Sequence, residues 1–415
     1  MTDAAPFNLR DPDCFATGHP HAAYDRLRQE APVCRVEGDG AQPPFWLLTR
    51  HEDIRAVSQD RNRFSSASGF RIQTPWRAAM APEIGQVLRR FMLAMDEPEH
   101  GDFRALVSSS FMPGALARLE PVIRANAAAL VASLRGRDEC EFVSEIGASV
   151  PIKTVCAVMG VPAQDEWRVF EFTNAVFGTD DPDYAPSLEV ANERYLAIFD
   201  YGWSLLEQRR RDPRDDLLTR IATARLGDGR ALDRTEQISF FSNMIAAGNE
   251  TTRSSLSGAI WALAHHPDLR RQLVANPGLI PNAVQELLRW FGPVFHMART
   301  ALCDVEVDGR TVAAGEQVAL LYGAANHDPA MFADPHRLDI HRANANRHIS
   351  FGYGVHHCLG GRLAVMQLAI LLETFLTAFP DYELTAEPDY IRSNFVGAMK
   401  RLPIRLNAPG TARAA

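Results

Sequence analysis

Apolar residues recur along most of the chain at intervals of three and four and only locally at intervals of two, a pattern that predicts many helices and little sheet. Helices are predicted over 114–134, 191–211, 282–290 and 359–379. The longest pattern opens at Asp233, an N-cap residue with Glu236 three positions on, and runs to about His265, where His266-Pro267 stops it. At ~1.5 Å per residue such a helix spans on the order of 50 Å. Asn243, Asn249, Glu250 and Arg253 interrupt its apolar centre, which fits a buried core helix with a polar task better than a membrane span. Strand signals occur at 45–49, after Pro43-Pro44, and within 305–317 and 318–322 around Asp308-Gly309. The fold class expected is mainly α with a minor β-sheet. Proline and glycine are scattered and no repeat is visible, so residues 1–415 are expected to form a single domain, with 1–12 and 408–415 flexible.

Composition narrows the function classes. A chain of 415 residues with 46% hydrophobic and 23% charged residues can bury a deep core and an enclosed pocket. The net charge of −8 gives no broad basic surface, so no nucleic-acid partner is expected. Six cysteines form no C-x-x-C pair, which points to a reducing, cytoplasmic setting, and neither a leader nor a membrane span is apparent.

Three short runs carry candidate chemistry. Residues 351–361, Phe351-Gly352-Tyr353-Gly354-Val355-His356-His357-Cys358-Leu359-Gly360-Gly361, set four glycines around one cysteine before an apolar helix. Glycines allow sharp turns and close approach of a flat ligand, and a thiolate is a strong soft donor to a transition metal. The helix centre reads Ala246-Ala247-Gly248-Asn249-Glu250-Thr251-Thr252, where Gly248 and two back-bonding hydroxyls are expected to loosen the helical ladder and open a groove. Glu286 and Arg289 stand three apart on one helix face, where an ion pair is easy. Each run taken alone also fits a blander state: a buried cysteine, a satisfied kink, a solvated pair.

The spacing F-G-x-G-x-H-x-C-x-G is met at every position of the first run, which therefore resembles the haem-binding signature of the cytochrome P-450 family. That resemblance implies haem b (iron protoporphyrin IX) lying between the long helix and the loop, with Cys358 as axial ligand and Phe351, Gly352 and Gly360 shaping the loop. The helix run resembles the family's A-G-x-[D/E]-T-T motif, which makes Glu250 the acid that feeds protons and Thr251 the alcohol beside the bound oxygen. Glu286 and Arg289 resemble the E-x-x-R core, a structural pair completed by Arg342 or a backbone carbonyl. Residues 96–104 resemble D-x-P-x-H-x-x-x-R, so His100 and Arg104, with Arg299 and His356, would contact the haem propionates. The matches run from about Asp96 to Arg405. Two departures are Glu250 for the commoner Asp and His327 where Arg is usual.

Partners and substrate follow from the same resemblance. It implies a monooxygenase using O₂, a ferredoxin and an NAD(P)H-dependent ferredoxin reductase, because no nicotinamide or flavin fingerprint is present. An acidic ferredoxin would dock near Arg61, Arg63, Arg347 and Arg362. Candidate pocket walls are Phe70, Ile72, Trp76, Phe170, Phe172, Phe177, Ala247, Val294, Phe295, Phe395 and Val396, which favour a hydrophobic small molecule such as a terpenoid, alkyl or steroid compound. Polyketide-type tailoring, peroxide-driven oxidation and a non-enzymatic haem-thiolate protein are the alternatives.

Overall fold

In the computed structural model, which describes residues 7–38 and 42–406, one helix organises the molecule. Arg234–His265 is 32 residues long, so it extends about 48 Å. Its start is a capping box: the Asp233 carboxylate accepts from the Glu236 amide (2.8 Å), and the Glu236 carboxylate accepts from the Asp233 amide (2.8 Å). Pro267 opens the next helix and ends this one. The helix packs against Ser149–Met159, Glu166–Phe177, Leu188–Arg211, Ile280–Phe291 and Gly361–Ala378, and so is buried over most of its length. Close approach is built in at Gly258, where a Cβ would lie 2.1 Å from the Phe291 ring.

Two large apolar clusters flank this axis. One joins Leu256, Ile260 and Leu263 to Ile280–Phe291 and Gly361–Ala378. The other joins Ile238, Phe241 and Ile245 to Leu188–Arg211 and to Leu217–Thr223. Gly361–Ala378 is by length and composition apolar enough to cross a membrane, but Leu368, Leu371 and Phe375 on it are core residues of the first cluster.

The main sheet has five short strands: β1 (Val33–Val36), β2 (Phe45–Leu48), β3 (Phe64–Ser65), β4 (His296–Ala301) and β5 (Gln317–Leu321), in the order β1-β2-β5-β4-β3. β2 runs parallel to β5 with Phe45 opposite Gln317, and β4 runs antiparallel to β5 with Arg299 opposite Val318. The predicted turn at Asp308-Gly309 closes a small separate hairpin, with both residues at positive φ (47° and 71°).

Two expectations change. The segment 7–12 packs instead of trailing: Leu9 is fully buried and Phe7 meets Phe15 and Tyr24 edge-on. Residues 1–6 and 408–415 lie outside the described residues. The long helix also stays α-helical through Gly248. Thr251 and Thr252 do bond back, to the carbonyls of Ala247 (2.9 Å) and Gly248 (3.3 Å), but they share those carbonyls with the ladder without breaking it.

Candidate active site

The cysteine loop leads into the N-terminus of Gly361–Ala378. Gly352 (φ 71°) and Gly354 (φ 73°) take left-handed turns, and a Cβ on Gly354 would lie 2.4 Å from the Ser58 carbonyl oxygen. The Cys358 amide donates to the Phe351 carbonyl (2.8 Å) and closes the loop on itself. The surface that Cys358 exposes faces an internal cavity and not bulk solvent, because protein encloses the sulfur. Burial pushes the thiol pKa up, while the Gly360 amide, the Arg104 guanidinium and the Gly361 amide pull against it and favour the thiolate.

The cavity, together with the solvent-open space at its mouth, encloses about 1650 Å³. Its far wall is one face of the long helix: Met244, Ala247, Gly248, Thr251 and Ser255, spaced at three and four. Met159, Val155, Val294 and Phe395 continue it as an apolar surface. Thr251 is thus a hydroxyl in a wall that also carries Asn243, Thr252 and Ser255 and shares its cavity with a thiol.

The cavity rim gathers positive charge without a counterion. Arg299 is 5% exposed, and its one hydrogen bond among the described residues goes to the neighbouring Ala298 carbonyl (2.7 Å). No carboxylate stands within ion-pair distance of Arg299 or Arg104 among the described residues, and burial lowers the Arg299 pKa. The His100 and His356 rings lie 4.3 Å apart beside them. Burial, then the Arg299 guanidinium, the His100 ring and the Arg104 guanidinium, push His356 down to about 2, so its ring is neutral, and its Nε2 pairs with the Ser66 hydroxyl (3.1 Å).

A buried guanidinium without an anion is costly, so the rim is built for a ligand that brings carboxylates. Gly360 supports the same reading: a Cβ there would meet nothing within 4 Å, so any side chain would project into the space a flat ligand needs. A thiol with amides aimed at it on one wall, carboxylate-seeking cations at the rim and a glycine-lined floor fit haem.

Sequence and structure agree unevenly on the wall. His100, Arg104, Arg299, Phe351, Gly352, His356, Cys358 and Gly360 all line the cavity, with Thr251, Ala247, Val294, Phe395 and Phe177. Glu250 does not. One residue along a helix turns the side chain by about 100°, and the Glu250 carboxylate is fully buried against Arg253 (Nε to Oε1 3.1 Å) and Ser254 (3.1 Å). Arg253 in turn donates to Asn174 (3.0 Å).

Several predicted walls belong to other contacts. Ile72 and Phe295 pack in the N-terminal cluster, with Phe295 4.5 Å from Phe15. Phe172 rests on Tyr201 and Phe170 on Arg253. Val396 bridges the backbone of Val294, Phe70 stands behind Phe395 at 5.9 Å, and Trp76 is 37% exposed. Apolar character alone does not separate these residues from the wall, which mixes aliphatic side chains such as Val155, Met159 and Val294 with Phe177 and Phe395. Met244 and Gly248 were legible all the same, lying seven and three residues before Thr251 on its own helix face.

The Glu286–Arg289 pair is fully buried, at 2.7 and 2.8 Å. Arg342 makes the third corner (3.1 Å to each Glu286 oxygen), and the Asp339 amide also donates to Glu286 (3.0 Å). Arg289 reaches the carbonyls of Asn326 and Pro335 (2.8 Å each), while Asn326 accepts from the Ile349 amide (2.8 Å) just before the cysteine loop. The loop is therefore braced from beneath by one charge cluster.

Comparison with known proteins places these features. Residues 189–406 match the sequence pattern of the family described as Cytochrome P450. The chain is 34% identical over 392 residues to the methyl-branched lipid omega-hydroxylase of Mycobacterium tuberculosis, covering 92% of this chain and 90% of that one. It is 32% identical over 403 residues to the linalool 8-monooxygenase of Pseudomonas putida, covering 96% and 98%. Among solved structures, Mycobacterium marinum cytochrome P450 CYP268A2 in complex with pseudoionone superposes with a TM-score of 0.90 at 33% identity, over 98% of this chain and 99% of that one. Likeness at this level over nearly the whole of both chains carries enzyme class as well as fold, and the chain belongs to the cytochrome P450 family of haem-thiolate monooxygenases.

Proposed function

We propose that this enzyme hydroxylates an apolar terpenoid, branched-alkyl or steroid-like molecule in the cytoplasm. It would use haem b held by Cys358 and electrons from a ferredoxin and its NAD(P)H-dependent reductase. The observation that carries the reading is the single cavity bounded by the Cys358 thiol, the Thr251 hydroxyl and an aliphatic wall. The relatives' names, which concern a lipid and a monoterpenoid alcohol, support the same substrate class. Haem, when bound, supplies the activation of O₂ and insertion of one oxygen atom into a C–H bond.

The chain's own residues do the rest. Arg104, Arg299 and His100 orient the cofactor through its propionates, and the glycine floor lets it lie close to the backbone. The apolar wall excludes water and presents the substrate with few polar anchors. Thr251, whose hydroxyl donates to the Ala247 carbonyl, keeps its lone pairs toward the cavity and can pass a proton there. Glu250 delivers protons to Thr251 only when its carboxylate turns away from Arg253 and Ser254, so that ion pair is the valve on proton supply.

Electrons arrive on the face of the cysteine loop. Arg61, Arg347 and Arg362 are exposed there and make no ion pair among the described residues, whereas Arg63 is held by Asp60. An acidic ferredoxin would be steered by those charges and released by salt, as the Debye length falls from about 10 Å at 0.1 M to about 3 Å at 1 M. The test is reconstitution with ferredoxin and reductase, a panel of terpenoid, branched-alkyl and steroid substrates, and isotope-labelled O₂. One labelled oxygen per product, dependent on NAD(P)H, is expected; product formed only with added peroxide would overturn the reading.

A further inference from the structure

Away from the haem cavity, a second cavity beneath the cysteine-loop brace is lined by His19, His21, His327 and His336, with Trp290 and Phe295. The rings of His21 and His327 are 4.1 Å apart, those of His327 and His336 5.1 Å, and those of His21 and His336 5.8 Å. One ring nitrogen from each of His21, His327 and His336 lies within 4.8 Å of the other two. We propose that these three histidines form a binding site for one divalent first-row transition ion, zinc in the first place, separate from the haem.

Hydrogen bonding sets the ring nitrogens for this task. His327 Nδ1 lies 3.0 Å from the Gly323 carbonyl, which can only accept, so Nδ1 carries the proton and Nε2 keeps its lone pair. His336 Nε2 lies 2.7 Å from the Asp25 carboxylate, which leaves Nδ1 as the free donor and makes a carboxylate–histidine pair of the kind that supports metal ligands. Buried His21 Nδ1 has no hydrogen-bond partner among the described residues. A metal ion set among the three rings could take one nitrogen lone pair from each.

The frame around the site is rigid. Arg289 fixes the carbonyls of Asn326 and Pro335, the residues just before His327 and His336, and Trp290 Nε1 donates to the His336 carbonyl (3.0 Å). His21 opens the helix His21–Glu30, so the ion would tie the N-terminal helix to the base of the haem-bearing half. Ring nitrogens around tetrahedral zinc sit about 3.4 Å apart, given Zn–N of ~2.0–2.1 Å, so small ring rotations close the site. His336 is exposed and gives an entry path. Imidazole donors alone favour zinc, copper or nickel over magnesium or calcium. The nearby cations Arg28 and Arg289 are matched by Asp25 and Glu286, which limits their repulsion of an incoming dication.

The test is calorimetric titration of tag-free, chelator-treated, haem-loaded enzyme with zinc chloride, with the carbonyl spectrum of each variant recorded to confirm intact haem binding. One zinc per chain is expected. His336→Ala should abolish that stoichiometric binding, His336→Cys should restore it by supplying a ligand, and Asp25→Asn should weaken it by ~10- to 100-fold as an outer hydrogen-bond partner does. His341→Ala, an exposed histidine outside the cluster, should bind as the parent does. Absence of a one-to-one site in the parent, or His336→Ala and His336→Cys binding alike, would overturn the proposal. Neither outcome bears on the haem chemistry, which the carbonyl spectrum reads separately.

Discussion

Replacing Glu286 by Ala removes the one carboxylate shared by two buried guanidiniums, Arg289 at 1% and Arg342 at 7% exposure. Breaking a buried pair by deleting one partner costs about 3–5 kcal/mol, mostly from the charge left behind. Two stranded cations would suggest twice that, but each keeps backbone acceptors: Asn326 and Pro335 for Arg289, Ala333, Asp334 and Arg337 for Arg342. A total near one pair's penalty, ~3–5 kcal/mol, is therefore expected, against an ordinary stability of about 5–15 kcal/mol. The loss falls on the loop base, because Asn326 links this cluster to Ile349 and so to Cys358. Two assays read it: the urea midpoint, and the haem-to-protein ratio of protein expressed at reduced temperature. A lowered midpoint with haem content well below one per chain is the expected outcome, and Glu286→Gln should fall between parent and Ala. A fully loaded Glu286→Ala protein with an unshifted midpoint would refute the reasoning.

Further outcomes follow from the same geometry. Thr251→Ala, which removes one hydroxyl of the helix face that shares the cavity with the thiol, should bind substrate normally but lower product formed per NAD(P)H about tenfold or more, with the difference appearing as hydrogen peroxide. Arg299→Ala, which removes the buried cation lacking a protein anion, should raise the rate of haem transfer to apomyoglobin about 10- to 100-fold, the equivalent of a charged hydrogen bond worth ~1.5–3 kcal/mol; unchanged transfer would take Arg299 out of the haem site. Burial lowers His296 and His348 from 6.5 to about 3. Their folded-state values lie below the unfolded one, so stability is whole above pH 6.5 and drains as pH falls toward 3, by about 2 kcal/mol per ring at pH 5. Urea midpoints at pH 7.5 and 5.0 should separate accordingly, and a His296→Gln/His348→Gln variant should narrow the gap; equal narrowing by unrelated histidine changes would assign the effect elsewhere.

The long amphipathic helices were legible because their apolar spacing is repeated over many turns, and Asp233 with Glu236 marks the longest one to the residue. β1 and β3, of four and two residues, carry too little alternation to register and exist only because the sheet collects them. Phe7 and Leu9 looked like isolated apolar residues in a polar tail, since nothing local announces Tyr24 and Phe295 as their neighbours. The thiolate loop was legible because its glycines, histidine and cysteine are contiguous. The substrate wall was legible only in part, at Phe177, Ala247, Val294 and Phe395, because it is assembled from residues as distant as Val155 and Phe395. Arg253, which holds Glu250, stands three residues on, the same relation that picked out Glu286 and Arg289. The three-histidine cluster joins residues 21, 327 and 336 and leaves no sequence signal beyond the unusual His327.

The central claim is that Cys358 ligates haem iron as a thiolate, and the carbonyl spectrum of the reduced protein tests it most directly. The parent enzyme should show the red-shifted Soret band that a thiolate produces, and Cys358→His should lose that band while retaining measurable haem. A Cys358→His protein that keeps the red-shifted band, or a parent that never shows it at full haem loading, would contradict the account.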